Sequence, residues 1–365
     1  MTFLADAARC GAKILDQANV IRILRDGKRA NGVEVMVKCK NGKQVKKNIL
    51  AKRCVICSGG SLNSPCVLQR SKFKNKNIGK YLFLHPTTGL CASFGNDYKP
   101  KNGVQNHNES ENEWEKCVRT NQVKVDSNLS PGHLQPTHGA LLTTICNEFH
   151  RGLNDDGYGP KLEVPCFQPT LLGALTPWMD PCTYRNIIQD ALRSLGIIVL
   201  QRDSGEGGRV FDQNGLPCIE YTLSETDEEN MLWGLTKSIE MCAKNGAKAI
   251  TAFQNIDPLK FTGEENTDKL FLTEYIEKVK KTRLRNFSAT LGSAHQMGSC
   301  RMGITPEKSV VDENGKLWEC DNVYVIDASV FPTASGVNPM LTNLTISHML
   351  STRLARRLQI ETSQE

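Results

Sequence analysis

The residues best suited to chemistry lie in the last quarter of the chain, and His295 is the first of them. Gly292 and Gly298 flank this histidine, so the backbone can bend there and another group can approach closely. Histidine titrates near neutral pH, which makes His295 a candidate base for taking a proton from an alcohol. Since most histidines are structural, the residue alone does not decide between the two roles.

Asn338 and Pro339 form the typical start of a helix, with Asn as the N-cap and Pro at the first helical position. Such a start presents unpaired N–H groups and the positive end of the helix dipole, both of which stabilise negative charge. The Asn338 amide has a second option, which is to donate a hydrogen bond to a substrate oxygen. A plain helix cap explains the same two residues.

Asp327 closes a predicted strand over residues 323–326. Ligands of doubly wound sheets lie at the carboxyl ends of strands, so Asp327 and the two residues after it are candidate cofactor contacts. A turn capped by the Asp or Ser side chain is the alternative interpretation.

Other elements must position these residues. Alternation and β-branched content predict strands over residues 12–16, 20–24, 32–37, 43–50 and 54–57, with tight turns at Asp26–Gly27 and Asn41–Gly42. After Gly59 and Gly60, Ser64 as N-cap and Pro65 at the first position predict a helix to Arg70. This unit either presents N–H groups to an anion or is an ordinary connection. Further strands are predicted at 141–146, 197–200, 219–221 and 323–326, and helices at 224–246 and from Asn338 to Leu358.

Composition indicates an ordinary globular protein. The 365 residues suffice for two domains of about 150 residues each, and 39% of them are hydrophobic. The net charge of +6 comes with short lysine runs rather than a basic stripe with aromatics, so nucleic-acid binding is not expected. The start of the sequence is not a secretory signal, and no apolar run is long enough for a transmembrane helix. The 14 cysteines, scattered singly apart from one close pair, indicate a reducing compartment and therefore an intracellular protein.

No metal site is expected. Cys54 and Cys57 lie three apart in an apolar, strand-like run and are interpreted as buried thiols. The spacing of His133, His138, Cys146 and His150 fits no zinc pattern.

Three motifs coincide in order and spacing: His295, Gly298, Arg301 and Gly303; Val325 to Ser329 with Pro332; and Gly336, Asn338 and Pro339. Together they resemble the C-terminal signature of the glucose–methanol–choline (GMC) flavin oxidoreductases. The segment around Val20 is similar to that family's second FAD-contacting hairpin, and residues 55–65 are similar to its second signature. The departure from that signature at Ser71–Lys74, together with Leu84–Pro86, is similar to the long-chain (fatty) alcohol oxidase branch.

The resemblance implies an α/β (α+β) fold. Residues 1–90 would form part of a Rossmann-like FAD-binding domain, and residues 91–285 a substrate-binding domain with an antiparallel sheet, helices and a polar loop near 95–136. Residues 286–365 would complete the FAD domain and the active site. The Gly-x-Gly-x-x-Gly unit that opens the family is missing before residue 60, so an N-terminally truncated member is expected.

The resemblance also implies the reaction, which is FAD-dependent oxidation of a long-chain primary alcohol to the aldehyde, with oxygen as acceptor and hydrogen peroxide as product. Two alternatives stay open: a GMC enzyme for another alcohol (sugar, sterol or choline-like), and a truncated product without activity. Membrane association at the endoplasmic reticulum or peroxisome and the oligomeric state also stay open. The apolar residues Phe167, Leu171, Leu172, Leu175 and Trp178 form either a substrate channel or core. The catalytic residues implied are His295 and Asn338, and the cofactor-binding residues are Val20, Gly59, Asp327, Ala328, Asn338, Pro339 and Met340.

Overall fold

The computed structural model describes residues 3–95, 142–165 and 167–364. The polar segment near 95–136, together with His133 and His138, therefore falls almost entirely outside the described residues. Two compact units make up the chain. The first consists of Met1–His85, Asp203–Thr222 and Ser293–Glu365, and the second consists of Pro86–Arg202 and Leu223–Gly292.

Helices and strands alternate irregularly along the described residues. The helices are α1 (Phe3–Arg9), α2 (Gly60–Arg70), α3 (Pro169–Leu175), α4 (Pro181–Gln189), α5 (Glu225–Lys244), α6 (Glu265–Thr282) and α7 (Met340–Gln364), with short 3-10 turns at Ala191–Arg193 and Ala328–Val330. The strands are β1 (Ala18–Asp26), β2 (Arg29–Lys38), β3 (Gln44–Leu50), β4 (Val55–Cys57), β5 (Lys80–Phe83), β6 (Thr87–Ser93), β7 (Leu142–Cys146), β8 (Pro160–Pro165), β9 (Ser194–Gln201), β10 (Gly208–Gln213), β11 (Leu216–Glu220), β12 (Ala249–Ala252), β13 (Leu259–Lys260), β14 (Met297–Gly298) and β15 (Val323–Val325).

The first unit contains three sheets. Strands β1, β2 and β3 form an antiparallel sheet, and β11, β10, β5 and β14 form a second antiparallel sheet in that order. Strands β4 and β15 pair in parallel, with Val323 opposite Val55 and Val325 opposite Cys57. Because β4 leads into α2 and β15 leads into Asp327, this pairing brings the two candidate cofactor segments to one edge.

The predicted hairpin at Asn41–Gly42 is confirmed, since β2 and β3 pair across it from Gly32 to Lys38. The predicted strand over residues 12–16 is wrong, because the first strand starts at Ala18. Its register pairs Ala18 with Val37. Continuing that register would place residues 12–16 opposite the Asn41–Gly42 turn, which offers no extended partner.

The helix predicted to start at Ser64 and Pro65 begins earlier, at Gly60, with Gly59 as its N-cap residue. Proline inside a helix removes the N–H that would bond to the carbonyl four residues before it. Here that carbonyl belongs to Ser61, and it accepts a hydrogen bond from the Ser299 hydroxyl at 2.7 Å. The Ser299 bond satisfies the carbonyl that Pro65 leaves without a partner, so the helix continues through the proline.

The second unit is built on a six-stranded antiparallel sheet in the order β13-β12-β6-β9-β8-β7. Helix α5 begins at Ser224 as predicted, and the Ser224 hydroxyl accepts from the Asp227 N–H at 3.0 Å. Phe167 and Leu172 are buried with Cys91, Ala191 and Phe253 in one apolar cluster, against which Leu175 packs.

The residues of the suggested substrate channel therefore divide between two environments. Phe167 and Leu172 form core, whereas Leu171 is 48% exposed and Trp178 is 65% exposed. The core interpretation holds for the buried pair.

Three helices of the second unit were missing from the sequence predictions. Helix α6 buries only Tyr275 and Val279, four residues apart, so its apolar stripe is too narrow to stand out. Helices α3 and α4 are short, with 7 and 9 residues, or about two and two and a half turns. A signal for α4 was present in Asp180–Pro181, because the Asp180 side chain accepts from the N–H groups of Cys182 and Thr183.

The mixed helix and sheet architecture confirms the predicted α/β (α+β) class with antiparallel sheets. The predicted division into functional domains stays a prediction, and residues 203–222 belong to the first unit. Within the described residues, no helix is long and apolar enough to cross a membrane.

Candidate active site

Strand pairing places His295 opposite a second histidine. Strands β14 and β5 are antiparallel, with Met297 opposite Phe83. Two residues further along that register, His295 faces His85, and their Nδ1 atoms lie 3.3 Å apart. The close pairing depends on Gly298, which has φ +76° and whose Cβ would meet the Tyr81 carbonyl oxygen at 2.0 Å.

His85 is fully buried, and its backbone is held in a left-handed conformation with φ 47°. The carboxylate of Asp203 holds it there, accepting from the His85 N–H at 2.8 Å and from the Leu84 N–H at 3.2 Å. Asp203 also accepts from the Tyr221 hydroxyl at 2.8 Å. The Gly336 N–H donates to His85 Nε2 at 3.1 Å, which fixes the ring from its other side.

His295 is half-buried and lies between His85 and Asn338. Its Nε2 is 3.5 Å from the amide nitrogen of Asn338. Burial lowers the pKa of His295 below the ordinary 6.5, because the charged imidazolium loses hydration. At neutral pH the ring is therefore neutral, which is the form a proton acceptor needs.

Helix α7 begins close to the predicted place. Its first turn has the Asn343 N–H bonded to the Pro339 carbonyl at 2.8 Å, and regular helix starts at Met340. The Asn338 side chain is directed at His295. Met340 and Leu341, the residues of α7 that follow Pro339, are 75% and 73% exposed.

Asp327 is buried and its carboxylate is occupied within the chain. One oxygen accepts from the Gly60 N–H at 2.9 Å and from the Ser64 hydroxyl, and the other accepts from the N–H and hydroxyl of Ser329. Gly59 is tied to the same network, since its N–H donates to the Ser64 hydroxyl at 2.9 Å. The glycine-turn N–H groups of Gly59 and Gly60 therefore bond inward, which argues against the anion-binding interpretation of this turn.

The candidate residues lie along α2. Gly59 and Asp327 are at its N-terminal end, and the Ser61 hydroxyl there donates to the Gln296 carbonyl, next to His295, at 3.0 Å. Val20 is at the other end, because its carbonyl accepts from the Arg70 guanidinium at 3.2 Å. The 11 residues of α2 separate the two ends by about 15 Å.

Two thiols of this unit, Cys54 and Cys57, contribute to its apolar core. Cys57 is buried in the apolar cluster between α2 and β15, and Cys54 packs against that cluster. Burial and the neighbouring Asp327 carboxylate raise the pKa of Cys57 to about 12. Across the described residues, no group of three metal-ligating side chains comes together.

Comparison with known proteins identifies the family of this chain. Sequence profiles of the GMC oxidoreductase family match residues 1–87 and residues 209–347, which together exceed half of the chain. The chain belongs to the GMC oxidoreductase family. Members of this family bind FAD, so the predicted cofactor is confirmed at the level of the family.

Two Arabidopsis thaliana proteins are among the most similar relatives. The long-chain-alcohol oxidase FAO4A is 29% identical over 87% of this chain and 40% of its own length. The long-chain-alcohol oxidase FAO3 is 28% identical over 98% of this chain and 44% of its own length. This chain thus spans less than half of the relatives it matches. A structure of Aspergillus oryzae formate oxidase aligns with a TM-score of 0.57 at 15% identity, covering 92% of this chain and 59% of that chain, and shows the shared fold.

At the start of α7, the exposed apolar side chains of Val337, Met340 and Leu341 are chemically compatible with the flat ring of FAD. The N–H groups of Gly59 and Gly60 bond within the chain, so they do not offer donors to the FAD phosphates.

Sequence reasoning missed three members of the site: His85, Asp203 and the Gly336 amide. His85 was noted only as part of a segment similar to one branch of the family. Its pairing with His295 depends on the register of two short strands that lie far apart in sequence. Asp203 follows a predicted strand without any motif, so no local signal identified it.

Proposed function

We propose that this chain carries the proton-handling site of an FAD-dependent oxidoreductase that converts a long-chain primary alcohol to its aldehyde, with oxygen as acceptor and hydrogen peroxide as product. The observation that carries the proposal is the half-buried His295, whose Nε2 lies 3.5 Å from the Asn338 amide at the start of α7; burial lowers the pKa of this histidine. The similarity to the Arabidopsis long-chain-alcohol oxidases supports the choice of substrate.

His295 and Asn338 have different roles in this reaction. His295 takes the hydroxyl proton of the alcohol, and Asn338 hydrogen-bonds the oxygen as negative charge develops on it. FAD, if bound, would supply the acceptor for the hydride of the α-carbon and the carrier of the electrons to oxygen. The positive end of the α7 dipole stabilises negative charge beside Met340. Of the residues proposed for the cofactor, Asp327 and Ala328 would contact it through backbone atoms, since the Asp327 carboxylate is already bonded.

The proposal is tested first by binding. The purified chain is incubated with FAD, and the absorbance of the bound flavin is measured after gel filtration. Stoichiometric flavin is expected. A chain that retains no flavin would contradict the proposal for this chain and favour the inactive alternative.

Peroxide release then tests the substrate. The panel is 1-dodecanol, cholesterol, glucose and choline, and peroxide above background is expected with 1-dodecanol. His295→Gln is expected to lower this rate by about 100- to 10,000-fold, the usual contribution of a general base. His348→Gln is the matched control, because His348 is exposed on α7. Equal rates for His295→Gln and the control would refute the assigned base.

A further inference from the structure

The pair His85 and His295 belongs to a network of four residues, Gly336, His85, His295 and Asn338, whose hydrogen-bond directions can be worked out. The starting point is the Gly336 amide, which is a donor in every state. It lies 3.1 Å from His85 Nε2, so that nitrogen must present its lone pair. Neutral His85 therefore carries its proton on Nδ1.

The donor and acceptor between His85 and His295 can then be assigned. The Nδ1 atoms of the two rings are 3.3 Å apart, so the N–H of His85 donates to the lone pair of His295. A neutral imidazole has one N–H, and His295 must carry it on Nε2. That nitrogen faces the Asn338 amide at 3.5 Å. The amide oxygen, which exchanges places with the nitrogen by a half-turn of the side chain, is the group that accepts there.

We propose that His85 is a positioning residue that holds the proton of resting His295 on Nε2, the nitrogen that faces Asn338. The proposal rests on the function given above and deepens it. In this resting form His295 is a donor towards the substrate side, and its only lone pair is turned to His85. His85 is itself fixed by Asp203 on the backbone side and by Gly336 on the ring side.

The network controls when His295 becomes a base. To accept a hydroxyl proton on Nε2, His295 must first carry its own proton on Nδ1, a shift of one proton through solvent without change of net charge. In that form the Nδ1–H of His295 faces the Nδ1–H of His85, and the hydrogen bond between the two rings is lost. The loss of this hydrogen bond lowers the population of the His295 form protonated on Nδ1 by a factor of about 5 to 10. Turning the Gly336 amide away from His85 removes this penalty, and Gly336 is two residues from Asn338.

The direct test is nitrogen NMR on the full chain with ring-¹⁵N histidine, at neutral to mildly alkaline pH and without FAD or alcohol. His85→Gln and His295→Gln assign the two rings. The expected result is a proton on His85 Nδ1, a scalar coupling from it across the hydrogen bond to His295 Nδ1, and a proton on His295 Nε2. A proton on His85 Nε2, or a doubly protonated His85, would overturn the proposal.

Two variants test the positioning role separately from folding. His85→Phe removes the donor and is expected to raise the pKa of His295 by roughly 0.5 to 1. His85→Gln retains an N–H donor and is expected to restore the value, whereas a purely structural role predicts the same pKa in both. An unchanged pKa in His85→Phe overturns the proposal, and if that variant fails to fold, the coupling in the wild-type chain decides.

The NMR outcome is independent of the reaction. The expected coupling in a chain that oxidises no alcohol would refute the proposed function and leave the positioning role of His85 in place. If the chain oxidises the alcohol but the shared proton lies on His295 Nδ1 rather than on His85 Nδ1, only the role of His85 is refuted.

Discussion

Replacing Asp327 with asparagine tests whether its carboxylate joins α2 to the end of β15. The two oxygens accept from four donors: the N–H groups of Gly60 and Ser329 and the hydroxyls of Ser64 and Ser329. Asparagine keeps one oxygen. Whichever way the amide turns, one backbone N–H faces an NH₂ group, while the serine hydroxyls rotate to compensate.

The magnitude follows from these bonds. A buried donor left without an acceptor costs about 1–3 kcal/mol, and the remaining bonds weaken because their acceptor is no longer charged. We therefore expect Asp327→Asn to lower the free energy of unfolding of the first unit by about 2–4 kcal/mol. Asp321→Asn is the matched control, since Asp321 is exposed two residues before β15, and its expected effect is within about 0.5 kcal/mol.

Urea unfolding measures the effect, with Trp318 reporting on the first unit that contains it. Hydrogen exchange of peptides spanning residues 58–66 and 326–331 localises it, and both are expected to exchange faster in Asp327→Asn. A change below about 0.5 kcal/mol with unchanged exchange would refute the reasoning that this carboxylate ties the two segments.

Three further predictions concern single residues. Gly298→Ala, with a Cβ 2.0 Å from the Tyr81 carbonyl and φ +76°, is expected to lower the free energy of unfolding of the first unit by about 2 kcal/mol or more, and so to lower its urea midpoint. Glu228→Gln, at a fully buried carboxylate bonded to two arginines, is expected to cost the second unit about 2–4 kcal/mol, against 1 kcal/mol or less for Glu229→Gln. Cys57, whose pKa burial raises to about 12, is expected to resist iodoacetamide in the folded chain, as mass spectrometry would show.

Each of these has a result that would contradict it. For Gly298→Ala it is a wild-type urea midpoint. For the glutamate pair it is an equal loss in both variants, since that would remove the difference between buried and exposed ion pairs. For Cys57 it is alkylation as fast as that of the exposed Cys10 and Cys39.

Local signals in the sequence predicted the elements that carry them. The Asn41–Gly42 hairpin, the helix capped by Ser224 and the strand before Asp327 formed as expected, because turn and cap chemistry acts between near neighbours. The predicted start of α2 was wrong because the carbonyl that Pro65 leaves without a partner, that of Ser61, accepts a hydrogen bond from the hydroxyl of Ser299, which lies 238 residues away in the sequence.

The candidate site divides in the same way. His295 and Asn338 were found from their motifs, and the structure brings their side chains within 3.5 Å. His85 could not be found, because its role depends on the pairing of β5 with β14, and Asp203 fixes it through backbone bonds that leave no motif. The sequence predicted Asp327 as a cofactor contact. In the structure its carboxylate accepts hydrogen bonds from four donors of Gly60, Ser64 and Ser329, so it also joins these segments.

Whether His295 is the base can be decided from the rate of flavin reduction by 1-dodecanol, followed anaerobically by stopped-flow in the FAD-loaded chain across a range of pH. Burial lowers the pKa of His295 below 6.5, so the neutral base is present at neutral pH and is lost as the pH falls through that pKa. We expect a rate that is constant near neutrality, falls on the acid side below pH 6.5, and drops by about 100-fold or more in His295→Gln. Flavin reduction at an equal rate in His295→Gln, with the same acid limb, would contradict this expectation.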